Sequence, residues 1–115
     1  MKEGSVVLTP IPQANGQIKN RPAVILRMMP PFGDFLVCGV STQLQQEAHG
    51  FDDPIGPVDP DFATSGLKVR SLIRLGFLAV LPANSLLGAI GSISADRHYR
   101  LLERLSNHLR PAQTE

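Results

Sequence analysis

Short apolar runs separated by proline and glycine fill most of the first 93 residues, and this pattern predicts a β-rich fold. Runs of strand length cover residues 5–9, 23–28, 35–40, 69–75 and 77–81. Ten prolines and ten glycines in 115 residues supply the breaks. Gly76 allows a bend or bulge between the last two runs. A further short strand is predicted near residues 51–55, and the two glycines of the apolar run 84–93 argue against a helix there. We therefore expect roughly five to seven short strands in a small antiparallel barrel or sandwich.

One helix is predicted at the C-terminal end, over residues 95–109. Ser94 is a good N-cap, Asp96 suits the first turn, and Pro111 ends the helix. Helical spacing places one apolar stripe on its surface, made of His98, Leu101, Leu102, Leu105 and Leu109. His98 is interpreted as a packed histidine, because no partner has metal-ligand spacing. A second stripe holds Arg97, Arg100 and Arg104. It is interpreted as a solvated face, with nucleic-acid contact as the alternative.

The segment 43–67 contains no lysine or arginine and is rich in carboxylates and prolines. Its acidic residues are Glu47, Asp52, Asp53, Asp59 and Asp61. Calcium loops carry acidic ligands and a glycine at fixed positions, and that spacing is missing here. The segment is therefore predicted to be a mobile, solvated loop without a metal ion.

Composition restricts the class of protein. A chain with 43% hydrophobic and 18% charged residues is long enough for one globular domain, predicted over residues 1–115. A net charge of +1 does not indicate a general nucleic-acid binder, so such a site would need local clustering. Cys38 is the only cysteine, lies in an apolar run and is predicted to be a buried thiol. The chain shows no signal peptide or membrane span, and a cytoplasmic location is expected.

Arg21-Pro22 joins a polar loop, predicted over residues 13–20, to the second apolar run. Pro22 has a fixed φ, pushes the preceding residue towards extended backbone and suits the first position of a strand. Arg21 is thus held at the mouth of a sheet, where a guanidinium can bind a phosphate or carboxylate with two hydrogen bonds. On this stretch alone, an ordinary surface arginine is the favoured interpretation.

The order and spacing of several segments resemble the PemK/MazF toxins of bacterial toxin–antitoxin systems. The matching segments are Gly4-Ser5-Val6-Val7-Leu8, Asn20-Arg21-Pro22-Ala23-Val24-Ile25-Leu26, Val40-Ser41-Thr42-Gln43, Gly66-Leu67-Lys68-Val69, Ser71-Leu72-Ile73-Arg74-Leu75 and Ile90-Gly91-Ser92-Ile93-Ser94. The resemblance extends from about residue 4 to 109, with the acidic middle segment aligning poorly. It implies a mainly β, SH3-like barrel of the CcdB/PemK/MazF type with a C-terminal helix, which forms a homodimer.

The resemblance also implies an activity and partners. Such toxins are endoribonucleases (mRNA interferases) that cut single-stranded RNA without a metal or other cofactor. Cleavage proceeds by attack of an RNA 2′-hydroxyl on the adjacent phosphate. A cognate antitoxin blocks the RNA groove with a disordered acidic segment, so the implied partners are RNA, the antitoxin and a second copy of the chain, with no membrane.

Carried over residue by residue, the resemblance assigns Arg21, Ser41 and Arg74 as catalytic groups around one phosphate. The residues expected to bind substrate around them are Lys19, Asn20, Thr42, Gln43 and Arg70. The acid/base positions depart from the family pattern. Gly76 stands where some members have an aspartate base, and Asn15 is near the position of a loop histidine in others. A polar pair typical of the family is replaced by Ala79-Val80.

These departures leave three hypotheses open. The first is a ribonuclease toxin, supported by Arg21 and Ser41. The second is a catalytically weak homologue that binds proteins, either an antitoxin or, as CcdB toxins do, a target enzyme. The third is a purely structural barrel. A ribonuclease assay with an Arg21→Ala control would separate the first from the others, and the effect of overexpression on translation or on DNA would distinguish the first two.

Overall fold

The computed structural model describes residues 1–12 and 14–112, so Gln13 of the predicted polar loop and the last three residues of the predicted domain lie outside the described residues. The strands are β1 (Ser5–Pro12), β2 (Ile18–Met29), β3 (Asp34–Ser41), β4 (Asp53–Ile55), β5 (Ser71–Leu81) and β6 (Ala89–Ser92). The helices are α1 (Phe62–Ser65) and α2 (Ala95–Leu109), with 3-10 turns at Leu44–Gln46 and Ala83–Ser85.

The six described strands form one curled antiparallel sheet in the order β4-β5-β3-β2-β1-β6. This confirms the prediction of a mainly β fold of about five to seven strands with a C-terminal helix. The predicted runs 69–75 and 77–81 belong to one strand, β5. The predicted bulge at Gly76 is confirmed, because the β3–β5 register jumps from Cys38–Leu78 to Gly39–Arg74. The four-residue helix α1 is an element that the sequence patterns did not predict.

The sheet buries apolar residues on both faces, because successive side chains of a strand point to opposite sides. One cluster lies between the sheet and α2 and includes Val6, Val24, Cys38, Ile73 and Leu101. The other cluster includes Val7, Ala23, Ile25, Val37 and Leu86. Cys38 is fully buried, as predicted, and this burial raises the pKa of its thiol to about 12.

The two edges of the sheet, β4 and β6, are not paired with each other, and α1 packs against β6 beside this opening. Gly66 ends α1 with a positive φ of 77°, and a side chain at this position would collide with the Ile90 carbonyl. Gly91 likewise lies directly against the backbone of Thr64 and Ser65. These glycines therefore let two backbones approach at a distance that no larger residue permits.

Helix α2 begins and ends at the predicted residues, and the Ser94 hydroxyl accepts a hydrogen bond from the Arg97 N–H as an N-cap should. Along the predicted apolar stripe, Leu101 and Leu105 are buried and His98 contacts the Leu26 carbonyl at 2.8 Å. Leu109 is mostly exposed, so the stripe does not reach the end of the helix.

The interpretation of the arginine stripe as a solvated face is wrong. Arg97 is only 4% exposed, and its guanidinium donates to both carboxylate oxygens of Asp61, at 2.9 and 3.1 Å, and to Asp53 at 2.7 Å. Arg100 and Arg104 also contact Asp53, at 2.9 and 3.3 Å. The stripe therefore binds the chain's own carboxylates, and the alternative of nucleic-acid contact loses its basis.

The prediction that the acidic segment is a solvated loop is wrong for the same reason. Asp52, Asp53 and Asp61 are buried, and Asp53 opens β4. Burial acts to raise the pKa of Asp61, but hydrogen bonds from the Arg97 side chain and the Ser94 N–H outweigh it and hold the pKa at about 2. Burial likewise opposes the charged form of Arg97, yet hydrogen bonds to Asp61 and Asp53 raise its pKa above the usual value. The segment is thus folded, with its buried carboxylates joined by ion pairs to the arginines of α2.

Candidate functional site

The site is built where one end of β3 lies between β2 and β5. Ala23 of β2 pairs with Gly39 of β3, and Gly39 pairs with Arg74 of β5. Arg21 comes two residues before Ala23, and Ser41 comes two residues after Gly39. Because side chains two residues apart share a face, antiparallel pairing brings all three candidate catalytic residues to one end and one face of the sheet.

A cavity of about 260 Å³ lies at this position. It is lined by Arg21, Gly39, Val40, Ser41, Gln43, Arg74 and Phe77. The three residues assigned as catalytic thus share one cavity, together with Gln43 from the set expected to bind substrate. Two guanidiniums line this small space, whereas all its other lining groups are neutral. Such a donor set suits an anion rather than a metal cation.

Arg74 has unused hydrogen-bonding capacity at this cavity. Its Nε is buried and has no hydrogen-bond partner among the described residues, while its Nη1 makes only a long 3.4 Å contact with Gln46 Oε1. Neither Arg74 nor Arg21 forms an ion pair within the described part of the chain. A buried N–H of this kind normally has a partner, so the arrangement favours a bound acceptor such as a phosphate oxygen.

Ser41 ends β3 with its hydroxyl held close to the cavity. The hydroxyl oxygen accepts a hydrogen bond from the Gln43 N–H at 3.0 Å. A serine hydroxyl has one proton to donate and two lone pairs, so this bond leaves its proton available for a ligand. The turn that follows β3 therefore fixes the position of the hydroxyl without using its donor.

The backbone of the β5 bulge is held by Asp52, a residue to which the sequence patterns assigned no such role. Its carboxylate accepts from the Leu75 N–H at 3.1 Å and from the Ala48 N–H at 2.9 Å. The bulge leaves residues 75–77 without β3 partners, so this bond satisfies a donor that would otherwise be buried unpaired. Asp52 thus anchors the strand segment that carries Arg74 and Phe77.

Phe77 is the lining residue that sequence reasoning missed. Its ring lies over Gly39, since a Cβ added there would be 3.0 Å from Phe77 Cδ2 and 3.3 Å from Cγ. The side chain remains 48% exposed. The available signal was an aromatic residue directly after the Gly76 bulge, close to a candidate arginine.

The other residues expected to bind substrate do not line this cavity. Thr42 lines a separate groove of about 640 Å³ that also includes Lys68. Lys19 and Asn20 are exposed on β2 just before Arg21. The Arg70 side chain packs over Gly56, where an added Cβ would lie 2.9 Å from Arg70 Cγ. Only Gln43 of the five joins the three candidate catalytic residues.

The described lining contains no histidine, aspartate or glutamate. Gly76 is exposed, and a Cβ added to it would have no atom within 4 Å. The cavity can therefore stabilise negative charge with its two arginines, while an ordinary general base is missing from the residues that line it.

The fold resembles that of a known toxin. The structure of the Mycobacterium tuberculosis toxin MazF-mt6 superposes with a TM-score of 0.64 at 21% sequence identity, covering 90% of this chain and 93% of that one. Comparison with curated protein sequences gave no match. None of the helices in residues 1–12 and 14–112 combines the length and apolar character needed to cross a membrane.

The sequence itself matches a family model over nearly its whole length. That model describes the PemK-like, MazF-like toxin of type II toxin–antitoxin systems, and it matches residues 2–109. The segments that carry the resemblance, from Gly4 to the end of α2, all lie within this range. The chain belongs to the PemK-like, MazF-like family of type II toxin–antitoxin toxins.

Proposed function

We propose that this protein is an endoribonuclease that cleaves single-stranded RNA. The single observation that carries the proposal is the shared cavity of Arg21, Ser41 and Arg74, which presents two guanidiniums and a hydroxyl to an anion of phosphate size. Members of the family are generally endoribonucleases, and this supports the same reaction class.

The chemistry follows from the groups in the cavity. The 2′-oxygen of one nucleotide attacks its own 3′-phosphate, its proton passes to solvent, and the P–O5′ bond breaks. The products are a 2′,3′-cyclic phosphate and the expelled 5′-oxygen, which takes up a proton from solvent and becomes a 5′-hydroxyl. The phosphorane between them carries more negative charge than the diester, so Arg21 and Arg74 stabilise it more strongly than the substrate. Ser41 donates its hydroxyl proton to a phosphate oxygen.

This mechanism requires neither a metal ion nor another cofactor, because the arginines provide the positive charge. It also lacks a well-placed general base, so the proposed enzyme is slow and depends mainly on electrostatic stabilisation.

We place its action in the cytoplasm, where messenger RNA is available. The natural regulator is an antitoxin whose acidic segment competes with RNA for the same cationic cavity.

We also propose that the protein is a homodimer. Leu78 and Val80 of β5 pair with Cys38 and Leu36 of β3, so they lie on the sheet face opposite Phe77. Both are exposed, Val80 to 53%, and Leu87 before β6 and Ile90 within it are exposed as well. Exposed apolar residues of this kind are typical of an interface. Light scattering at micromolar concentration is expected to show twice the chain mass of 12.5 kDa.

The test compares two arginine variants of β2 on a long RNA of mixed sequence. Arg21→Ala is expected to reduce cleavage roughly a hundredfold, the typical effect of losing one donor to a developing oxyanion. Arg27→Ala is the matched control, because Arg27 lies six residues further along the strand, outside the cavity lining, and forms an ion pair with Glu3 at 3.3 Å. The control is expected to cleave normally, as is the wild type in excess chelator.

The product ends provide a second readout. The proposed reaction leaves 5′-hydroxyl ends, which a polynucleotide kinase labels without prior phosphatase treatment. Equal activity of Arg21→Ala and wild type, or 5′-phosphate products, would show that the cavity does not catalyse this reaction. Circular dichroism and thermal melting confirm that each variant is folded.

A second candidate function is supported by the lining itself. Because no carboxylate or imidazole is among the described lining residues, the cavity is equally suited to hold an acidic protein segment without catalysis. In that case the wild type leaves RNA intact, and Arg21→Ala weakens the binding of an acidic peptide instead. Pull-down with the cognate antitoxin, at two salt concentrations, distinguishes this outcome from catalysis.

A further inference from the structure

Phe77 stands between two different spaces on the same face of the sheet. On one side is the cationic cavity of Arg21 and Arg74. On the other is a groove of about 190 Å³, lined by Thr9, Pro10, Ala23, Val37, Gly39, Phe77, Ala79 and Leu81. Phe77 and Gly39 line both spaces, so the cavity and the groove lie side by side. The groove has no charged residue among its lining.

We infer that Phe77 is a base-stacking residue, which receives a base next to the phosphate bound by Arg21 and Arg74. A nucleotide has the same two-part character as this surface, with an anionic phosphate joined to a flat, weakly polar base. Single-stranded RNA is commonly bound by aromatic rings that stack on bases and by cations that hold the backbone. The inference rests on the proposed RNA substrate and adds the residue that orients the substrate's base.

The local structure explains why the ring is available for stacking. The bulge around Gly76 interrupts the pairing of β5 with β3 after Arg74, and the pairing starts again at Leu78. Gly39, directly below the ring, has no side chain, and even an added Cβ would lie 3.0 Å from the ring. The Phe77 ring therefore packs closely over the bare backbone of Gly39 and still remains about half exposed. A ring in this position has a face for a base, whereas a ring packed in the core has none.

The charge and the ring act together in this arrangement. The arginines attract the backbone in any sequence, and the ring accepts any base, since every base has a π-face. Cleavage preference among bases is then decided by the fit of the adjacent groove rather than by hydrogen bonds alone. We expect Phe77 to increase affinity for single strands much more than for duplex RNA, whose bases are already stacked.

The test measures binding of a 2′-O-methylated RNA oligonucleotide of random sequence, which lacks the attacking hydroxyl and is not cleaved. Phe77→Leu keeps an apolar side chain of similar size but removes the aromatic face, and it is expected to weaken binding on the order of tenfold. Phe77→Tyr keeps the face and is expected to bind within about twofold of wild type. Phe32→Leu is the matched control, because Phe32 is 86% exposed in the turn between β2 and β3, at the other end of that hairpin.

Fluorescence reports stacking directly. With 2-aminopurine placed in the oligonucleotide, wild type and Phe77→Tyr are expected to quench the probe on binding, whereas Phe77→Leu leaves it bright. Undiminished binding and quenching by Phe77→Leu overturns the inference. Loss of the dimer in light scattering of Phe77→Leu also overturns it, because the ring then belongs to a subunit interface.

The failure of this inference is distinguishable from the failure of the proposed function. If Arg21→Ala loses cleavage and Phe77→Leu binds RNA normally, the ribonuclease assignment stands and the stacking role is wrong. If the wild type neither binds nor cleaves RNA, both are wrong. If wild type and Phe77→Tyr bind RNA, Phe77→Leu loses binding and Arg21→Ala loses cleavage, the ribonuclease function and the stacking role are both supported.

Discussion

Replacing Arg97 with methionine is the substitution with the largest expected effect on stability. Methionine fills most of the same volume but removes the charge and every hydrogen-bond donor of the guanidinium. The guanidinium donates to Asp61 twice, to Asp53 and to the Pro54 carbonyl at 3.0 Å, and it lies 3.5 Å from Asp59. Asp53 keeps Arg100 and Arg104 as partners, whereas Asp61 keeps, among the described residues, only the Ser94 N–H.

The magnitude follows from the burial of both partners. Removing one member of a buried ion pair typically destabilises a protein by about 3–5 kcal/mol, because the other charge stays buried without compensation. We expect a loss of about 4 kcal/mol for Arg97→Met, a large part of the total stability of a domain of this size. Arg100→Met is the control on the next turn of α2. The Arg100 side chain is 42% exposed and makes one ion pair, so its expected loss is below about 1 kcal/mol.

The pH dependence of this difference has a definite sign. The pKa of Asp61 is held at about 2 in the folded protein, against 3.8 for an unperturbed aspartate. A lowered carboxylate pKa stabilises the folded protein above the unperturbed value, and this contribution is lost as the pH falls through the folded value. The difference between wild type and Arg97→Met should therefore be about 1 kcal/mol smaller at pH 3 than at pH 7.

Urea denaturation followed by circular dichroism measures these free energies at both pH values. A destabilisation of Arg97→Met below about 1 kcal/mol at pH 7 would contradict the argument. So would a difference that does not shrink towards pH 3, since Asp61 would then not be the charge that Arg97 compensates.

Two further outcomes are expected. The logarithm of the cleavage rate should rise by about one for each pH unit between pH 6 and pH 9, because no imidazole or carboxylate is among the described lining residues and hydroxide must then remove the 2′-proton. Cleavage of labelled RNA measures this rate, and a maximum inside this range would reveal a titrating catalytic group and contradict the mechanism. Asp52→Asn should lower the free energy of unfolding by about 2 kcal/mol and reduce cleavage, since an amide has one oxygen for the two N–H groups of Leu75 and Ala48. Asp34→Asn, at the opposite end of β3, is the control. If Asp52→Asn is as stable as the wild type, the bulge does not depend on this carboxylate.

Local signals in the sequence were sufficient for most of the secondary structure, although not for α1 or for the start of β2. Alternating apolar residues and their Pro/Gly breaks placed the strands, and Ser94 with Asp96 placed the start of α2 at the observed residue. These features depend on the backbone preferences of residues that are neighbours along the chain, so a single sequence is enough to predict them. The predicted place of Arg21 at the entry of the sheet, with Pro22 as the first strand residue, is wrong: β2 begins earlier, at Ile18, and Arg21 lies within the strand, paired with Thr9 of β1.

The candidate site was predicted only in part. Arg21, Ser41 and Arg74 came from the resemblance, and they line one cavity because the β2–β3–β5 register brings them together. Their catalytic role stays a prediction. Thr42, Lys19, Asn20 and Arg70 lie outside that cavity, since a residue's distance along the chain does not show which way its side chain points after a strand ends.

By itself, the sequence determined the strand pattern, the single long helix and the membership of the toxin family, because each depends on short-range order repeated along the chain. Tertiary structure alone decided the partners of the charges and the environment of the ring. Arg97 and Asp61 are 36 residues apart, and only folding brings them within 2.9 Å. Phe77 faces the cavity because a register jump in β5 turns it there. Such contacts depend on the free energy of the whole packed chain, so no single segment of the sequence contains a signal for them.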